Sequence, residues 1–409
     1  MIDVDALRSR FPALSRTLDG TPVVYADGPG GTQVPQSVID AMAAPLSEGV
    51  SNTGGPFPAS EAAGTIVDAA RSAVADLFGA EPDQVVFGQN MTSLNLSLSR
   101  AIGRTLGRDD EIVVTNLDHD ANITPWRLAA ADRGATLRTA SFDPADGALA
   151  ADAVAAQIGP RTRVVAVAGA SNALGTLTPL RDIVAAARAA GAIVVVDAVH
   201  LTPHRAIDVA AIDADVVLAS AYKFFGPHTG IMVGRRGVLS DITPYKLTAS
   251  SDRSPGSWET GTQSFESLAG VTAAVDHIAS LGEGDSRRAR ILGAMARVAE
   301  HERGLAARFL AGLSEMPSVR LYGIADPGRL DERAPTFALA VQGRHPREVS
   351  AALGERGIFV WDGHYYAVDV MRHLGVLDDG GLVRIGFVQY TTPGEVDRIL
   401  GALSDVAAG

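Results

Sequence analysis

Two charged residues stand at the ends of strand-like apolar runs. Asp197 closes AIVVVD, and Lys223 follows DVVLAS and leads into a turn built from Gly226, Pro227 and Gly230. In an open α/β sheet, ligands sit beyond the carboxyl ends of the strands, so both charges are delivered to one rim. An amine and a carboxylate placed there describe a structural ion pair as well as a reactive one. The reactive version has a definite chemistry. Burial lowers a lysine pKa, leaving part of the amine neutral and nucleophilic toward a carbonyl, while the carboxylate can hold a proton on a heteroaromatic nitrogen.

That pairing is what pyridoxal phosphate requires: the lysine forms a Schiff base with the cofactor aldehyde, and the protonated ring draws electrons from the α-carbon of a bound amino acid. Five stretches in order, LDHDANITPW, GASNALGTLTPL, VVVDAVHLTPHRAIDV with DVVLASAYKFFGPHTGIM, WETGTQSFESLAG and VRIGFVQYTTPGEVDRI, carry a resemblance over nearly the whole chain. They resemble the class V aminotransferase family, in its cysteine desulfurase and selenocysteine lyase branch. The resemblance implies a fold type I, pyridoxal-phosphate-dependent α/β enzyme. His119 is then expected to stack on the cofactor ring, Asn172 and His200 to lie near the ring oxygen and the substrate, and Lys223 to hold the cofactor covalently, with Asp197 on the ring nitrogen. Arg384 is expected to clamp the substrate carboxylate, for which its planar fork is suited. Thr92 and Ser93, near the start of the helix in FGQNMTSLNLSLSR, become phosphate ligands with Ser220 and Tyr222. Thr262 is expected to reach the phosphate of a neighbouring subunit, which implies a homodimer with shared sites.

The chain departs from that branch in one decisive respect: it contains no cysteine. Tyr366, in WDGHYYAVD, stands where a desulfurase commonly places its mobile cysteine, so a protein-bound persulfide has no sulfur to form on. Tyr222 replaces a usual histidine, His200 a common glutamine, and Phe57 stands near another usual histidine. His364 and Tyr366 serve either as local acid and base groups toward the substrate or as packing between domains. The expected activity is a carbon–sulfur lyase on a small amino acid or amino-acid conjugate, working by direct elimination. The alternatives are an aminotransferase, an epimerase, a biosynthetic carbon–carbon or ring-forming enzyme, and a non-catalytic scaffold relative.

The elements that must position these residues follow from patterning. QVVFG, EIVVTNL, TLRTASF, RVVAVAGAS, AIVVVDAV and DVVLASAY read as strands of a mainly parallel, seven-stranded sheet, alternating with amphipathic stretches such as ALAADAVAAQIG and LRDIVAAARAAG. Residues 1–20 read as an N-terminal arm, 21–265 as the large cofactor-binding domain, and 266–409 as connecting helices and a smaller α+β domain. With 409 residues, 46% of them hydrophobic, the chain can build more than one core. A formal net charge of −12 repels a nucleic-acid backbone or an anionic membrane, and no apolar run is long enough to span a bilayer, so a cytoplasmic location is expected. His200 and His204 have a metal-like spacing, but Pro203 interrupts any helix presenting both, and no metal site is expected.

Overall fold

A computed structural model describes residues 2–408. Seven short strands form its main sheet: β1 (Val85–Gly88), β2 (Glu111–Thr115), β3 (Thr136–Ala140), β4 (Thr162–Ala168), β5 (Ile193–Asp197), β6 (Val216–Ser220) and β7 (Gly230–Gly234). Their order is β1-β7-β6-β5-β4-β2-β3, with β7 antiparallel to both neighbours and the other pairings parallel. The valine runs are continuous because both faces are covered. Val165, Val167, Val194 and Val196 join one core, whereas Val164, Ala166 and Val195 join the other.

Six strands coincide with the runs read from the sequence. The seventh, GIMVG, is bracketed by glycines and reads locally as more of the preceding turn. Gly230 is required there: a Cβ would meet the Asn90 carbonyl oxygen at 2.6 Å, so the strand lies directly against the start of the helix Met91–Gly103. The stretch ALAADAVAAQIG is helical only over Ala151–Ala155.

A second sheet, all antiparallel, orders β8 (Val319–Tyr322), β9 (Thr336–Val341), β11 (Leu382–Gly386) and β10 (Trp361–Gly363). Its own core contains Phe309, Phe337 and Phe387, and draws in Val24 and Ala26 from near the amino terminus. Val24–Tyr25 pairs in parallel with Ile358–Phe359 in a separate two-stranded ladder, and an Asp27–Gly386 bridge ties this segment to β11. The helix Phe265–Ala279 packs against Gln36–Glu48 and Pro58–Phe78, and its Leu268, Val271 and Ala274 share the large core. Among the described residues no helix is long and apolar enough to cross a membrane.

Candidate active site

The carboxyl ends of β2, β4, β5 and β6 converge on one cavity. Thr92, His119, Asn172, Asp197, His200, Ser220, Tyr222 and Lys223 all line it. Asp197 and Ser220 are the last residues of β5 and β6, and Lys223 lies in a single 3₁₀ turn immediately beyond, so strand ends hold the two charges. The Ser220 hydroxyl accepts from the Met91 amide at 3.0 Å, which fastens this rim to the amino end of Met91–Gly103. Free amides at such an end favour an anion.

Burial, reinforced by the Arg384 charge, pushes the Lys223 amine down to about 7, against the opposing pull of Asp197 and Asp27. Its Nζ donates to the carbonyls of Pro29 and Gly30, the latter at 3.1 Å. Asp197 is raised to about 6 by burial, opposed by the Val199 amide, which donates to its Oδ1 at 2.9 Å, and by Lys223. A cationic ring nitrogen beside it would favour the carboxylate again. Behind it, Asp118 is fully buried and raised to about 8, chiefly by desolvation. His119 is held down to about 4 by burial and the nearby cations, so its imidazole is neutral at pH 7. His200 is also shifted well down by burial, with Nε2 2.9 Å from the Thr336 hydroxyl.

Arg384 enters from β11 of the second sheet. It is 4% exposed, donates to the Asn172 carbonyl at 3.0 Å, and lies 4.5 Å from the ring centroid of Tyr365. Tyr366 stacks on His119 with centroids 5.5 Å apart, and His364 Nδ1 accepts from the Tyr366 amide at 3.1 Å. The 364–366 turn therefore touches the cavity wall through His119 and is bonded within itself.

Ser93 and Thr262 are placed elsewhere. Both line a separate groove, and the Ser93 amide and hydroxyl both donate to the Asn90 side chain as part of the helix cap. His204 is buried against Glu302, with 2.9 Å between Nδ1 and Oε2. Three contributors went unread in the sequence. Asp27 is raised to about 6 by burial, Tyr365 lies under Arg384, and the Pro29 and Gly30 carbonyls accept from Lys223. The signal that could have found the last of these is glycine-rich DGPGG, since glycine permits a close backbone approach without naming its partner.

The donor set fits pyridoxal 5′-phosphate. Asn172 Oδ1, His200 Nδ1 and Arg384 Nε are buried without protein hydrogen-bond partners, so each has bonding capacity that a ligand in the cavity can complete. Thr92 and Ser220 beside the helix end would hold the phosphate, Asp197 the ring nitrogen, and Lys223 the aldehyde carbon.

Comparison with known proteins agrees with this chemistry. Residues 24–399 match the aminotransferase class-V family. A cysteine desulfurase of Yersinia pestis (strain Pestoides F) is 31% identical over 419 residues, spanning 98% of each chain. A probable cysteine desulfurase of Mycolicibacterium paratuberculosis is 34% identical over 427 residues and matches all of this chain, which spans only 59% of that longer protein. The solved apo structure of the cysteine desulfurase from Thermococcus onnurineus NA1 superposes with a TM-score of 0.89 at 26% identity, covering 100% of this chain and 99% of the other. With the sheet, the rim lysine and aspartate, and a match over most of its length, the chain belongs to the class-V aminotransferase family, whose members use pyridoxal 5′-phosphate.

Proposed function

We propose that this protein is a carbon–sulfur lyase that acts on a small amino acid or amino-acid conjugate and releases its sulfur product directly, with no protein persulfide. The observation that carries this reading is a complete rim of Lys223, Asp197 and Arg384 in a chain with no thiol at all. The names of the relatives support carbon–sulfur chemistry. Tyr366, standing in the place of a mobile cysteine, argues for elimination without a sulfur relay.

The bound cofactor supplies an electron sink for charge developing at the substrate α-carbon. Arg384 binds and orients the α-carboxylate through its free Nε edge. Lys223, neutral in part near pH 7, takes the α-proton. Asp197 keeps the ring nitrogen protonated, and neutral His119 offers a flat, apolar face. His200 Nδ1, unpartnered and buried, is proposed to bond the ring oxygen or the substrate. Thr262 is proposed to complete the phosphate site of a second copy in a homodimer, which accounts for its position in a groove away from its own Lys223.

The test is to incubate holoenzyme with cysteine and S-substituted cysteines, and to assay the released sulfide or thiol, pyruvate and α-deuterium exchange. Equimolar sulfur product and pyruvate are expected. Deuterium exchange without elimination, or a keto acid that retains its sulfur, would sink the lyase reading in favour of epimerisation or transamination.

A further inference from the structure

We propose that the mouth of the Lys223 cavity is a subsite for an apolar or aromatic group carried beyond the substrate β-carbon, clasped between Trp361 and Tyr366. The inference rests on the reading of the cavity as an amino-acid site and names the class of side chain it takes. Trp361 pairs directly with Arg384 across β10 and β11, so the two side chains share a sheet face. The indole abuts Gly30, where an added Cβ would meet Trp361 Cδ1 at 2.9 Å, and the Gly30 carbonyl is the one that accepts from Lys223 at 3.1 Å. On the other side the Tyr366 ring lies on His119, whose ring lines the cavity. Both rings are left open, Trp361 51% exposed and Tyr366 65%.

The backbone is bent to hold Tyr366 there. Tyr365 and Tyr366 have φ of 35° and 60°, a region that bulky residues avoid unless their surroundings enforce it. The enforcement comes from the cavity wall: the Asp120 amide donates to the Tyr366 carbonyl at 2.7 Å, and the Asn172 side chain donates to the Tyr365 carbonyl at 3.0 Å. The acidic residues nearest in sequence are already engaged, Asp362 with Arg347 at 3.2 Å and Asp369 with Arg127 at 3.1 Å. Two open aromatic faces suit an apolar or aromatic substituent.

The experiment titrates holoenzyme, following the cofactor absorbance, with S-benzyl-L-cysteine against S-methyl-L-cysteine and with L-phenylalanine against L-alanine. The larger member of each pair is expected to bind more tightly, by about two- to tenfold for each ring contacted. Trp361→Ala and Tyr366→Ala should each shrink that ratio, while Trp361→Phe and Tyr366→Phe keep it. Retained absorbance and an unchanged urea midpoint establish that the variants fold. A ratio of one or below in the unaltered protein, or one insensitive to both alanine variants, overturns the subsite. A clear preference without elimination leaves the subsite standing and removes the lyase reading; elimination without preference does the reverse. No response to any of the four amino acids overturns both.

Discussion

Lys223 sits in a buried cavity within the field of Arg384, and both effects favour its neutral amine. The amine is lowered to about 7, so the neutral form grows as pH rises through that value. Covalent capture of added cofactor by apoprotein, trapped with borohydride at successive pH values, should therefore accelerate from about pH 6 and level off above about pH 8; a flat profile would contradict the assignment. Lys223→Ala should still bind cofactor noncovalently yet lose turnover, which absorbance and product assays distinguish. Arg384→Ala should weaken substrate binding by about 2–5 kcal/mol, the scale for one partner of a buried charge pair. Arg384→Lys should recover only part of this, because an ammonium cannot reproduce the two-pronged contact. An unchanged apparent affinity in Arg384→Ala would place the carboxylate elsewhere.

At the scale of elements, the site depends on how closely β7 approaches the helix Met91–Gly103. Gly230 touches the backbone of Asn90, and that residue's side chain caps the helix whose first amide is bonded to Ser220. Gly230→Ala should push strand and helix apart, costing about 1–3 kcal/mol of stability as overpacking does. Because Thr92, the proposed phosphate donor, moves with the helix, cofactor affinity should fall too, read by denaturant unfolding and cofactor fluorescence. Retained affinity would show that the phosphate is held by other groups. Most of the elements were legible in the sequence because a strand buried on both faces must be apolar throughout. The antiparallel β7 was not, since three residues between glycines carry no period. IFVWDG reads as one strand, yet Ile358–Phe359 pairs with Val24–Tyr25 while Trp361–Gly363 pairs with Leu382–Arg384, and long-range partners alone make that division.

For the whole molecule, the proposed homodimer gives Thr262 a testable role. Mixed dimers of Thr262→Ala with Lys223→Ala chains contain one site with both an intact lysine and an intact threonine from its neighbour. Such mixtures should regain activity above either variant alone; no gain would show that Thr262 does not act across an interface. Its placement with Ser93 in a groove outside the Lys223 cavity is a tertiary fact that no motif carries. Placement was legible from sequence wherever it follows from a strand end: Asp197, Ser220 and Lys223 face the rim because strands β5 and β6 stop there. The missing thiol is equally a property of composition, since no folding can supply an absent sulfur. Tertiary structure alone brought Arg384 from the second sheet onto Asn172, set Tyr365 beneath it, brought Asp27 into the field of Lys223 and Arg384, and left Trp361 and Tyr366 exposed. Charge, volume and hydrogen-bonding capacity belong to a side chain before it folds. Desolvation and proximity exist only once distant segments have been packed together, and these set the proton affinities and the shape of the cavity.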